Sequence, residues 1–452
     1  MYKPYKIPAI TAAPDVRMPE PQVSKFVVFL LWILGRFYYF ILYGTARIFL
    51  RGDERLIDSF RRALAGESRC IFAFRHANGT EPQLLTWFFL FLLKGFAAKR
   101  GIRFARRPHA LFVYGYEVAR WSGGVTRFFM SHLGAMPVYH AKMDNHGMSR
   151  IYNAILEGPY PLALAPEGQV SYTMDAVPRL EPGVIRIGFT AAERLAGKGS
   201  NCPLEILPVS IHFRYGKRGK AAMERLLQKV EKLIGLPGRG GEELPFIDRL
   251  RLCREGILEL NESRYRLKSD ASLAWEERLN RVINAALETA ERMLDIKGEG
   301  DLFSRMYRLR QICWDRIYLP GVESLEAMPR LERSLKDLRA GEAWYITRHQ
   351  EMVDFCWYFR VPLPTEETAL HNRIEFVQNL WDFANRTMGG AFADRKSIIP
   401  RKIIIQPAGV INLSARLPAY REDKKTAIDT AMADLEKAYQ YCINEVNKAE
   451  RG

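Results

Sequence analysis

Between residues 70 and 215 short apolar runs alternate with helix-like stretches, and this alternation restricts the fold more than any other feature of the chain. "CIFAF", "ALFVY", "GAMPVY", "PLALAP" and "EILPVSIHF" each have the length and apolar content of a short strand. Helical patterns lie between them, such as "PQLLTWFFLFLLKGFAAK" and "GVIRIGFTAAERLAG". Strands and helices in alternation predict an α/β domain whose mixed, largely parallel sheet is flanked by helices. Functional groups in such sheets gather in the loops at the carboxyl ends of the strands.

The rest of the chain has a different character. With 452 residues there is room for two or three domains, and an apolar content of 48% supports a real core. Residues 1–22 are rich in proline and read as an irregular arm. Residues 23–60 are expected to form a helical segment at a membrane interface, and 61–220 the α/β domain. Residues 221–452 read as a mostly helical C-terminal region without a legible role. The net charge of +16 favours an anionic partner. Nucleic acid is not expected, because the chain lacks zinc-finger cysteine spacing, an RNP-like aromatic motif and a basic zipper. The six cysteines are scattered and form no CxxC, so reduced thiols are expected rather than a disulfide frame or a metal site.

The segment "FVVFLLWILGRFYYFILYGTARIFL", residues 26–50, is long enough to span a bilayer. Arg36 near its middle and Arg47 near its end make a span costly. Its aromatic residues Phe37, Tyr38, Tyr39, Phe40 and Tyr43 suit the membrane–water boundary. A helix or bent helix pair lying in one leaflet is the expectation, with a true span and a buried core helix as the alternatives.

Chemistry concentrates where the first strand ends. In "FAFRHANGTEPQLL" an imidazole, His76, precedes a carboxylate, Glu81, across a turn that Asn78, Gly79 and Pro82 keep from being helical. A neutral imidazole is a good general base near pH 7, most of all when a carboxylate holds its other ring nitrogen. The spacing alone also fits an ordinary polar turn, and it recurs at His349 and Asp354. His349 is expected not to be catalytic, because no Pro-Glu-Gly follows it. "PLALAPEGQV" places Glu167 and Gly168 directly after a strand, where a carboxylate meets substrate hydroxyls and a glycine admits a ligand to the backbone. In "RLEPGVIRIG" a turn leads into a helix whose N-terminus favours an anion, with Arg186 in its first turn.

The order of these elements resembles the glycerolipid acyltransferases, the lysophosphatidic acid acyltransferase superfamily. The resemblance covers roughly residues 70–215 and rests on His-x4-carboxylate, "GAMPVY", "APEGQ", "PGVIRIG" and "ILPVSI". It implies the glycerolipid acyltransferase fold and transfer of a fatty acyl group from acyl-CoA or acyl carrier protein to a hydroxyl of a lysophospholipid or glycerol phosphate-type acceptor. No cofactor and no metal are implied beyond the acyl donor as co-substrate. In that scheme His76 is the general base, Glu81 orients it, and Glu167 with Gly168 binds the acceptor.

Three departures stand out. Glu81 replaces the family's Asp, His140 stands where the second motif has an arginine, and Val170 where the third has one. Lys142, Arg75 and Arg186 are the candidates for replacing the lost phosphate contacts. The resemblance also implies a location on the cytoplasmic face of a membrane, peripheral or monotopic, with membrane lipid as partner. The apolar helix 84–93 then reads as a core helix, or as the wall of an acyl-chain tunnel or a membrane-facing surface. A non-catalytic lipid-binding scaffold and an N-acyltransferase on the same fold are the rival readings.

Overall fold

The computed structural model describes residues 10–451 apart from 17, 19, 44–47, 140–143, 237–243, 271, 391–394 and 400. The chain forms two compact units, Met18–Gly216 with Ile399–Gly452, and Met1–Arg17 with Lys217–Ile398.

The first of these is an α/β unit around an eight-stranded sheet. From one edge to the other the strands run Ile48–Leu50, Arg401–Pro407, Leu204–Tyr215, Arg69–Phe74, Leu162–Leu164, Leu111–Gly115 and Met136–Val138. Pairing is parallel except where Arg401–Pro407 and the short Ile411–Asn412 lie antiparallel to Leu204–Tyr215. All five runs expected to be strands are strands, in a mostly parallel mixed sheet flanked by helices.

Side chains leave a strand on alternate faces, and the strand Arg69–Phe74 is buried on both. Cys70, Phe72 and Phe74 enter one core with Leu56, Phe60, Leu84 and Phe89 of the helices over that face. Ile71 and Ala73 enter the opposite core with Ile155, Val184, Phe189, Leu435 and Tyr439. The helix after His76 begins with Glu81–Trp87, passes through a π-helical stretch at Phe88–Leu92 and ends with Leu93–Ala98. Its residues Leu84 to Leu90 are buried, so the core-helix expectation holds for this stretch.

The chain divides differently from the sequence expectation. Its end returns to the α/β unit: Arg401–Pro407 fills the sheet between Ile48–Leu50 and Leu204–Tyr215, and the helix Lys424–Arg451 covers a face. The isoleucine run at 403–405 is buried in the sheet, which rewards that return with apolar surface taken out of water.

The apolar segment at 26–50 is split. Lys25–Tyr43 is one helix, and Ile48–Leu50 is the edge strand. No described helix is long and apolar enough to cross a membrane. The helix turns Val27, Val28, Gly35 and Tyr39 inward. The Tyr39 ring packs tilted against Trp87, with centroids 4.8 Å apart, and its hydroxyl donates to the Gln83 carbonyl. Outward it shows Phe26, Phe29, Trp32, Ile33, Leu34, Phe37, Phe40 and Ile41 to solvent.

The second unit is mostly helical. Its helices include Lys217–Leu233, Phe246–Arg264, Trp275–Leu294, Leu302–Ile317, Arg330–Tyr358 and Leu370–Thr387. Residues of the N-terminal arm belong to it: Ala13–Pro14 pairs in parallel with Tyr318–Leu319. Half-buried and buried ion pairs tie the helices together, such as Arg278 to Glu262 at 2.7 Å and Arg310 to Asp354 at 2.9 Å.

Candidate active site

The strand Arg69–Phe74 ends, and the next two residues carry opposite duties. Arg75 turns inward and is 1% exposed at its side chain; His76 stays at the surface of the loop with 18%. The turn Asn78–Thr80 then reverses the chain, with Gly79 at φ +87°, a conformation that favours glycine. Pro82 opens the helix that follows, and this sets Glu81 at its first position, fully buried. The result is a hydrogen bond of 2.9 Å between His76 Nδ1 and Glu81 Oε2. A carboxylate only accepts, so the Nδ1 proton is donated to it, and in the neutral ring Nε2 carries the lone pair.

The stretch after Leu162–Leu164 meets the same loop from ninety positions away. Gly168, at φ +70°, closes a tight turn with its N–H on the Ala165 carbonyl at 3.2 Å. That turn directs Glu167 inward. Glu167 Oε2 accepts the main-chain N–H of His76 at 3.0 Å, and Oε1 accepts from Arg75 Nε. Ser171 N–H donates to the His76 carbonyl at 2.9 Å. His76 is therefore fixed three ways: its N–H by Glu167, its C=O by Ser171 and its ring by Glu81. Tyr172, the next residue, sits at φ +52°, a left-handed conformation that costs a non-glycine residue about 1 kcal/mol or more.

Arg75 completes a buried polar layer beneath the loop. Besides Glu167, its Nη2 donates to the carbonyls of Thr173 at 2.8 Å and Ala176 at 2.9 Å, and the guanidinium lies 5.8 Å from the ring of Tyr439. Tyr439, from the C-terminal helix, donates its hydroxyl hydrogen to the Ala73 carbonyl at 3.1 Å. Burial raises its phenol well above the ordinary value, so it stays a neutral donor.

Two sequence expectations change here. Arg75 was expected as a phosphate contact; it is sealed in the interior and committed to Glu167 and two carbonyls. Glu167 was expected to meet substrate hydroxyls; both of its oxygens are engaged inside the protein. Each therefore shapes the loop that carries His76. Arg186 is exposed in the first turn of Gly183–Gly197, and its side chain makes no ion pair or hydrogen bond among the described residues. The main chain joins that helix to the site, since Glu181 N–H donates to the Pro166 carbonyl at 2.6 Å. His140 and Lys142 lie outside the described residues.

The second His-x4-Asp match is not a pair. His349 and Asp354 lie on one continuous helix, Arg330–Tyr358, where five residues turn about 140° beyond a full revolution. His349 Nδ1 meets the Tyr265 hydroxyl at 2.9 Å, and Asp354 takes Arg310.

Sequence reasoning passed over Arg401. It opens the antiparallel strand, paired with Tyr215 at the carboxyl end of its neighbour, and is 2% exposed. Its Nη1 donates to Asn78 Oδ1 at 3.1 Å and its Nη2 to Thr80 Oγ1 at 3.3 Å.

No protein-family model, no curated protein and no solved structure matches the chain.

Proposed function

We propose that the protein is a membrane-associated O-acyltransferase that moves a fatty acyl group from an acyl thioester to a hydroxyl of a lysophospholipid or glycerol phosphate-type acceptor. The observation that carries this reading is the fixed imidazole: a partly exposed ring whose Nδ1–H is held by the buried Glu81, leaving Nε2 to act. His76 Nε2 takes the acceptor's hydroxyl proton as the oxygen attacks the thioester carbonyl. Glu81 stabilises the imidazolium that forms. The tetrahedral intermediate collapses, the C–S bond breaks, and the imidazolium returns the proton to the leaving thiolate. No acyl-enzyme is formed. Glu167, Arg75 and the Gly168 turn hold the loop at the acceptor side of the site. Arg186, exposed in the first turn of its helix, supplies positive charge for an acceptor phosphate.

Location follows the same reading. The outward face of the helix Lys25–Tyr43 is apolar apart from Arg36, and Lys25 and Arg36 are its only charged residues. We place that face in the headgroup region of an anionic leaflet on the cytoplasmic side, where an arginine reaches phosphate while its neighbours leave water.

Purified protein in anionic vesicles, given radiolabelled acyl-CoA or acyl carrier protein with lysophosphatidate, neutral lysophospholipids, glycerol phosphate and amine acceptors, tests the activity. An O-ester product is expected. Amide product alone would make the protein an N-acyltransferase, and vesicle binding with no turnover of any acceptor would make it a scaffold. The scaffold reading draws on Val170, which puts an apolar side chain beside the turn at Gly79.

A further inference from the structure

We infer that Arg401 is a positioning residue for the His76–Glu81 pair, acting through the side chains of the turn between them; the inference rests on the acyltransferase reading. The distance along the chain is large, yet the topology delivers it directly. The strand Arg401–Pro407 runs antiparallel to Leu204–Tyr215. Its first residue therefore lies at the carboxyl edge of the parallel strands, where its later residues do not reach.

At that edge the guanidinium rests 4.1 Å over the ring of Phe213, which holds its plane. Its two terminal nitrogens then meet one oxygen from each side of the turn: Asn78 Oδ1 at 3.1 Å and Thr80 Oγ1 at 3.3 Å. Those two side chains also bond each other, Thr80 Oγ1 to Asn78 Oδ1 at 3.2 Å. Gly79 between them has the freest backbone in the loop. A planar fork bridging residues 78 and 80 removes the freedom that Gly79 introduces. The pair needs this restraint, because a glutamate arm has one more rotatable bond than an aspartate. The Nδ1-to-Oε2 distance is then set by where the turn releases the chain into the helix at Glu81.

A point charge cannot replace the fork. Arg401→Lys keeps the charge but offers a single donor centre that does not span both oxygens. Asn78→Ala removes one acceptor while leaving Arg401 packed on Phe213, so it reports on the bridge without disturbing the sheet.

The test is steady-state acyl transfer with the full-length protein in vesicles for Arg401→Met, Arg401→Lys, Asn78→Ala and the Arg401→Met/Asn78→Ala double variant. A second readout is the 15N-histidine spectrum. We expect kcat to fall about tenfold to a hundredfold in the single variants, with KM within about threefold. The double variant falls no further than the worse single one, because both changes break one bridge. The hydrogen-bonded Nδ1–H signal of His76, assigned by its loss in His76→Gln, is broadened or lost in Arg401→Met and Asn78→Ala while melting temperatures stay close to wild type. Additive losses, a rise in KM with kcat kept, or an Nδ1–H signal indifferent to Arg401 would each overturn the inference. The spectrum does not depend on turnover. An inactive wild type whose His76 signal still follows Arg401 would sink the acyltransferase reading and leave the positioning role standing; an active wild type with unaffected Arg401 variants would do the reverse.

Discussion

Arg75 and Glu167 form an ion pair that is 1% exposed on each side. Two buried charges cancel only while both are present. Arg75→Met or Glu167→Gln should each lower unfolding free energy by about 3–5 kcal/mol in urea titrations. Loss below about 1 kcal/mol would mean that the pair is not closed as described. His349→Ala should leave acyl transfer unchanged, since that ring serves the Tyr265 hydroxyl within the other unit; a folded but inactive variant would contradict its exclusion from the site. The two histidine matches show what a sequence discloses at this scale. His76 and Glu81 were legible because one turn brings them together, and a turn can be read from Asn, Gly and Pro. His349 and Asp354 have the same spacing, and only the continuous helix around them separates their directions. Arg401 and Tyr439 were not legible at all. They reach the site from 323 and 366 positions away, through sheet pairing and helix packing that no local pattern records.

The element whose sequence and structure pull hardest in different directions is the helix Lys25–Tyr43. Its inner face is specified by size: a Cβ on Gly35 would stand 2.5 Å from the Trp87 ring. Gly35→Leu should push the helix off Trp87 and cost about 1–3 kcal/mol, read by denaturation; an unchanged midpoint would show that the helix is not anchored there. Its outer face should carry vesicle binding. Trp32→Asp with Phe37→Asp should weaken partitioning onto anionic vesicles by tenfold or more in sedimentation assays while leaving the fold intact, because each aromatic leaving water contributes about 1 kcal/mol or more. Retained binding would move the membrane contact elsewhere. The apolar run made the helix legible but hid the strand Ile48–Leu50 within the same run. Apolar content alone does not separate a helix end from a short edge strand.

Across the α/β unit, buried imidazoles set a pH dependence. Burial pushes His109 down to about 4 from the ordinary 6.5, although its Nε2–H is donated to the Leu133 carbonyl at 2.8 Å. Burial likewise lowers His212. Below pH 6.5 the unfolded chain takes up a proton that folded His109 refuses until about pH 4, so stability falls as pH drops through that window. The His109 share amounts to up to about 3 kcal/mol at the bottom of the window. His109→Gln, which keeps a donor for the carbonyl, should flatten the slope between pH 6.5 and 4 in thermal melts; an unchanged slope would place the titration elsewhere. At this scale five of the sheet's strands were legible from their apolar runs. The division of the chain was not, because the return of residues 399–452 into the sheet depends on which strand edge is left open, a property of the assembled sheet.

The most direct measurement is single-turnover transfer of a labelled acyl group to a lysophospholipid by the wild type, His76→Ala and Glu81→Gln in the same vesicles. Ester formation by the wild type should fall by about a hundredfold to ten-thousandfold in His76→Ala and less steeply in Glu81→Gln, with all three proteins folded and membrane-bound. Wild-type rates in His76→Ala would contradict the account.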